Sequence, residues 1–250
     1  MNNTIPIPKN YLERILKPIN RLTESCVLKT TEDGLYSVCS STENTVYLYA
    51  KVNFPFKPEK NQRLNLISIK RFLVGLDCLG EENEFSIELN ENNLKCSNNL
   101  SNGDKTHFKY HLVDDSVIRE CPFNVSRISS LNFDTEFTIK TEKLKQIMSG
   151  YTFASDSSKI YFYTKDGFVY CEMNDKTIQN IDSITMKVSE EFSGKPLDGE
   201  IIISTEVFKN LASSRSDVRV RINNEFKIFI FQNKDDNDVE LKYIVPALVK

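Results

Sequence analysis

Leu66-Ile67-Ser68-Ile69-Lys70-Arg71-Phe72 returns later in the chain as Ile202-Ile203-Ser204-Thr205-Glu206-Val207-Phe208. In the first stretch a strand runs into a helix, with Ser68 placed to cap it and Gly80 placed to end it. Working outward, Glu84-Phe85-Ser86-Ile87-Glu88-Leu89 is matched by Asp217-Val218-Arg219-Val220-Arg221-Ile222, and Tyr110-His111-Leu112-Val113 by Tyr243-Ile244-Val245-Pro246. Towards the start, Leu12, Ile15 and Leu16 are matched by Leu144, Ile147 and Met148. The order is kept and the offset stays between 132 and 136 residues. Four segments in register imply two tandem copies of one domain, at 1–112 and 128–250, joined by a linker at 113–127.

Composition suits that division. A chain of 250 residues holds two domains of ordinary size, and 40% hydrophobic with 27% charged residues is enough to build two cores. No apolar run reaches the roughly 20 residues that span a bilayer, so no membrane partner is expected. The first residues, Met1-Asn2-Asn3-Thr4-Ile5-Pro6, lack the basic and apolar blocks of a signal peptide. The six cysteines form no CxxC pair and read as reduced, buried small side chains of a cytoplasmic protein.

Within each copy, short alternating strands outnumber helices, which excludes a parallel βαβ architecture. The fold class is α+β, with antiparallel sheets and two helices per domain on one face. The helices are expected near Pro8–Lys17, Ser68–Leu79, Lys140–Ala154 and Ser204–Ser214. Pro18 should end or kink the first.

The charge is not spread evenly. Lys9, Arg14, Lys17 and Arg21 face a single acid, Glu13, in the first helix; Lys70 and Arg71 face Asp77 in the second. Lys140, Lys143 and Lys145 face Glu142 in the third, and Lys209 and Arg215 face Glu206 in the fourth. All four helices are net basic although the chain carries −3. One such helix is simply solvated. Four in equivalent places fit a polyanion held by its phosphates, and none has the Asn, Gln and Arg density of a base-reading helix.

Signs of catalysis are few. There is no phosphate-binding glycine loop, no H-E-x-x-H and no G-x-S-x-G. His107 and His111 are four apart, but on a strand that separates them by about 13 Å, so no metal is expected. Asp235-Asp236-Asn237-Asp238 lacks the glycine and glutamate of a calcium loop and reads as a solvated turn. No cofactor and no enzymatic activity are expected.

The duplication, the four basic helices and the antiparallel strands resemble the DNA sliding clamp family. Leu12–Arg21 followed by Cys26–Thr30 and Leu35–Cys39 is similar to the opening of the trimeric clamps of T-even-type bacteriophages. Ile69-Lys70-Arg71-Phe72-Leu73-Val74-Gly75-Leu76 looks like their second helix. Leu241-Lys242-Tyr243-Ile244-Val245-Pro246 looks like the last strand of the eukaryotic and archaeal clamps.

The resemblance implies a head-to-tail homotrimeric ring around double-stranded DNA that tethers a DNA polymerase as its processivity factor and is placed by a clamp loader. It implies DNA contacts from Lys9, Arg14, Lys17, Arg21, Lys70, Arg71, Lys140, Lys143, Lys145, Lys209 and Arg215. Subunits would join through edge strands near Lys105–Leu112 and Ile181–Val188, with Phe108, Tyr110, Ile184 and Met186 at the contact. Val113, Ile118, Val245 and Pro246 would receive a partner peptide. Two other readings stay open: a monomeric clamp-like polymerase accessory subunit, and a duplicated β-rich structural or assembly protein such as a virion component.

Overall fold

A computed structural model describes residues 4–5, 7–54, 62–80, 84–90, 92–99, 105–211, 216–233 and 238–248. Of these, the residues within Met1–Cys39, Leu48–Phe123 and Asn237–Leu241 form one compact unit. Those within Ser40–Tyr47, Asn124–Asp236 and Lys242–Lys250 form a second.

The first unit is built from β1 (Thr4–Ile5), α1 (Lys9–Leu22), β2 (Cys26–Thr31), β3 (Gly34–Ser40), β4 (Tyr47–Asn53) and β5 (Arg63–Leu66). It continues with α2 (Ile69–Asp77), β6 (Glu84–Asn90), β7 (Asn93–Asn99) and β8 (Lys105–His111). One sheet has the order β1-β6-β7-β8, and the remaining strands run β5-β2-β3-β4. Every pairing with a defined register is antiparallel, as alternating strands joined by short turns require. Beyond β4 lies the chain's return near Asp238: Asn53 N donates to Asp238 O at 2.8 Å.

The second unit repeats this plan. It contains α3 (Val125–Ser129), β9 (Thr135–Ile139), α4 (Thr141–Phe153), β10 (Lys159–Lys165), β11 (Phe168–Met173), β12 (Ile184–Ser189) and β13 (Ser193–Gly194). β14 (Ile201–Ser204), α5 (Glu206–Leu211), β15 (Val218–Asn223), β16 (Ile228–Asn233) and, from Lys242 onward, β17 (Val239–Pro246) complete it. One sheet has the order β12-β11-β10-β14, and the other strands run β13-β9-β15-β16-β17.

α1 departs from expectation. It continues through Pro18 to Leu22, and Thr23 N closes it onto Ile19 O at 2.9 Å. The proline forfeits a hydrogen bond and crowds the preceding turn, at about 3 kcal/mol. Ile15, Leu16, Ile19 and Leu22 are all buried along the same face. Each is worth roughly 1.5–3 kcal/mol when fully buried, so the apolar face outweighs the proline.

The other helices keep their places. Ser68 Oγ accepts from Arg71 N at 3.3 Å at the start of α2, and Gly80 follows its end with φ +73°. α5 is shorter than expected over the described residues. Four short elements lie outside the expected set: β1, α3, β9 and β13. Asn124 caps α3 through Arg127 N, inside the stretch read as linker. β9 precedes α4, with Thr135, Phe137 and Ile139 buried in alternation.

The cores differ in make-up. In the second unit, Phe162 lies 5.4 Å from Phe229, 6.3 Å from Phe208 and 6.4 Å from Phe137, centroid to centroid. In the first, Phe72 meets Tyr110 edge-on at 5.1 Å and Phe108 at 5.6 Å, amid aliphatic side chains.

Candidate nucleic-acid interface

α1 packs beside α2 in the first unit, and α4 beside α5 in the second. Each helix buries its apolar stripe and leaves the opposite side to solvent. On α1 the exposed side chains are Asn10, Arg14, Lys17 and Arg21, steps of four, three and four that keep one face of a helix. Because the helix survives Pro18, Arg21 extends this row by a full turn. Lys17 Nζ contacts Glu13 Oε2 at 2.5 Å, and the Arg14 guanidinium lies 5.6 Å from the Tyr11 ring centroid. Lys9 does not join the row. It is 9% exposed, and its Nζ donates to Gly80 O at 2.6 Å. The turn that ends α2 holds it.

On α2, Lys70 and Arg71 are exposed in a first turn that contains no acid. Two cations at the positive end of a helix dipole cost up to about 1 kcal/mol each, so local helix stability does not account for them.

The second unit is poorer in cations. α4 exposes Glu142, Lys145, Gln146, Ser149, Thr152 and Phe153. Lys140 stands exposed at its N-cap, and half-buried Lys143 donates to Gln146 Oε1 at 3.0 Å. On α5 the exposed basic residue is Lys209, whose Nζ lies 5.2 Å from the Tyr151 ring centroid. A hydrogen bond to Tyr151 raises its pKa above the usual lysine value, keeping it charged. Arg215 lies outside the described residues.

β8 and β12 are each the last strand of a four-stranded sheet among the described residues. Of the side chains expected at their contacts, Tyr110 is buried and Phe108, Ile184 and Met186 are half-buried. Phe108 and Tyr110 pack on Phe72, and the Tyr110 hydroxyl donates to Ser68 O at 3.1 Å while accepting from Ser68 N at 2.9 Å. A Cβ on Gly150 would stand 2.8 Å from Met186 Cε and 3.2 Å from Ile184 Cγ2, so those two lie under α4. A strand alternates faces, so the exposed positions of β8 are Lys105, His107, Lys109 and His111.

The partner-peptide residues are mixed. Val245 is 0% exposed and Ile118 8%, so neither offers a surface as it stands. Val113 and Pro246 are half-buried. Val117, which the sequence did not single out, is 54% exposed. Arg63 and Asn65 of β5 hold this stretch: Arg63 Nη2 donates to Ile118 O at 2.8 Å, and Asn65 Nδ2 to Val113 O at 3.0 Å.

No cluster of three or more His, Cys, Asp or Glu that could hold a metal occurs among the described residues. Burial pushes the Cys26, Cys96 and Cys171 thiols up to about 12, so none is a ready nucleophile. No described helix is long and apolar enough to cross a membrane.

No family model and no curated protein matches the sequence. Solved structures do. The proliferating cellular nuclear antigen (PCNA) of Entamoeba histolytica superposes with a TM-score of 0.76 at 12% identity, covering 99% of this chain and 98% of that one. The PCNA of A. fulgidus, solved with the C-terminal region of FEN-1 bound, gives 0.73 at 15% identity over 99% and 98%. A chain of the PCNA2–PCNA3 complex of Sulfolobus tokodaii gives 0.69 at 16% identity over 99% of both chains. The chain therefore has the α+β fold of PCNA-type sliding clamps over its whole length.

Proposed function

We propose that the chain is a sliding clamp: a head-to-tail homotrimer that encircles duplex DNA without reading its sequence and tethers a DNA polymerase as a processivity factor. One observation carries the ring. By the repeat, β8 corresponds to β17 and β12 to β4. Within the first unit Asn53, the last residue of β4, donates to Asp238 O just ahead of β17, whereas β8 and β12 end their sheets among the described residues. A joint between β8 of one copy and β12 of the next repeats the pairing already present. It also removes two open edges that would otherwise template aggregation.

The helix charges support DNA as the occupant. Arg14, Lys17, Arg21, Lys70 and Arg71, joined by Lys140, Lys143, Lys145 and Lys209, supply phosphate contacts that are weak, non-specific and salt-sensitive. A ring held on DNA by its closure needs no more. Lys9 is left out, since Gly80 O already holds it.

A polymerase or loader peptide would be received near Val113 and Val117 of the first unit. The bound C-terminal region of FEN-1 on the A. fulgidus relative is consistent with peptide capture by this fold. The specific resemblance of α1 and α2 to the T-even-type phage clamps makes a bacteriophage replisome the proposed setting.

The test is topological. After loading onto a nicked circular plasmid, the protein is expected to co-elute with the circle on gel filtration. It should be lost when the plasmid is cut once. Equal retention on circle and linear DNA would overturn encirclement in favour of one-sided binding.

A further inference from the structure

At the end of β12 the second unit has a groove of about 590 Å³, formed with the first turn of α4 and residues 190–193. Its charged lining is Glu136, Glu142, Glu190 and Glu191 against Lys140 and Lys143, so it is net acidic. Two of the four acids are engaged. Glu136 takes two 2.7 Å hydrogen bonds from Arg219, and Glu190 accepts from Lys187 at 2.6 Å. Glu142 and Glu191 stand exposed on the groove.

β8 has the opposite character. Its exposed face carries Lys105 and Lys109, with Lys95 of β7 directly across from Lys109. Lysines on an open edge commonly serve only to block stray strand pairing. Register separates that use from a specific contact. Lys51-Val52-Asn53 at the end of β4 aligns with Lys187-Val188-Ser189 at the end of β12, and Asp238 aligns with Lys105. Asn53 N donates to Asp238 O at 2.8 Å. The same joint made between two copies sets Lys105 against Ser189, next to Glu190 and Glu191.

We infer that the acidic groove at the end of β12 receives Lys105 from the β8 edge of a second copy, with Glu191 as its principal partner. The inference rests on the ring reading and names the charge pairing that fixes its register. An apolar contrast places a joint on the same side. Val74 on α2, the helix over β8, is 53% exposed, whereas its repeat counterpart Asn210 on α5 is 3% exposed. Phe153 on α4, the helix over β12, is 57% exposed.

The experiment is a charge swap read by sedimentation equilibrium. Lys105→Glu and Glu191→Lys should each raise the concentration of half-assembly by about fivefold or more at low salt, since an exposed pair is both lost and replaced by repulsion. The two together should return it to within about twofold of the unchanged chain, and near 1 M salt all four proteins should converge. Thermal unfolding of the substituted chains at matched concentration checks that they fold. Folded single variants that assemble like the unchanged chain overturn this joint and leave the ring standing. Tighter association or aggregation of Lys105→Gln also overturns it, because a guarding lysine would then be the correct reading. An unchanged chain that stays monomeric at micromolar concentration overturns the ring itself, and the joint with it.

Discussion

α1 and α4 occupy the same slot in the two copies, and the difference between them shows what the duplication kept. Both bury an apolar stripe: Leu12, Ile15 and Ile19 in one, Leu144 and Ile147 in the other. Their exposed faces differ. α1 shows Arg14, Lys17 and Arg21, one cation per turn, while α4 shows Lys145 among Gln146, Ser149, Thr152 and Phe153. The buried pattern is fixed by the sheet beneath, and the exposed pattern answers only to what lies opposite. On the proposed reading the first domain would carry most of the phosphate attraction, and the second would offer neutral hydrogen-bonding groups and a surface for another copy.

The cores allow the strongest test of that contrast, because they are the part that differs least in plan and most in residue type. Phe162→Ala empties the centre of a five-ring cluster, and Phe72→Ala removes one ring from a mainly aliphatic core. Both should cost about 3–5 kcal/mol, with Phe162 at the upper end because rigid rings close a cavity poorly. Urea unfolding followed at both units measures this. A smaller loss for Phe162→Ala than for Phe72→Ala would mean that the aromatic cluster is loosely packed.

The charge contrast predicts a smaller but more specific effect. Replacing Arg14, Lys17 and Arg21 with alanine should weaken binding to short duplex DNA at low salt by about thirtyfold. It should also flatten the slope of log affinity against log salt by about 2–3. Replacing Lys143 and Lys145 should change the slope by about 1, since Lys143 is half-buried and tied to Gln146. Equal slopes for the two sets would break the asymmetry and return the domains to equal roles.

Sequence periodicity made most of the strands and four of the five described helices legible, because each has one buried face that repeats at 2.0 or 3.6 residues. It failed where a distant group decided the outcome. Pro18 reads as a stop, yet the buried stripe of α1 carries the helix past it. Lys9 reads as one more cation in a basic helix, yet Gly80 O, far along the chain, takes its ammonium. β9 is only five residues long, too short for its alternation of Thr135, Phe137 and Ile139 to stand out from a loop. At β8 and β12 an edge role is implied by the family resemblance, but not which face of each strand the helices cover. Gly75 and Gly150 were the unread signal there, since a glycine within a helix over an edge strand marks close approach.

Those two glycines give the finest comparison between the domains. A Cβ on Gly75 would stand 2.9 Å from Phe108 Cε2 and about as near to the neighbouring ring atoms, while one on Gly150 would stand 2.8 Å from Met186 Cε. The distances are nearly equal, so distance alone predicts equal costs. The obstacles differ in stiffness. Phe108 is a flat ring held against Phe72, and moving one of its atoms moves all of them. Met186 Cε is the end of an unbranched side chain with three rotatable bonds and can swing aside cheaply. Alanine in place of a helical glycine gains up to about 1 kcal/mol of helix propensity, against about 1–3 kcal/mol for overpacking. Gly150→Ala should therefore come out within about 0.5 kcal/mol of neutral, and Gly75→Ala should destabilise by about 1 kcal/mol or more, read as a shift in urea midpoint at constant slope. Equal losses at both sites would mean that the methionine is as confined as the phenylalanine. The edge under α4 would then be as rigidly set as the edge under α2, and the difference between the two edges would be confined to their charges.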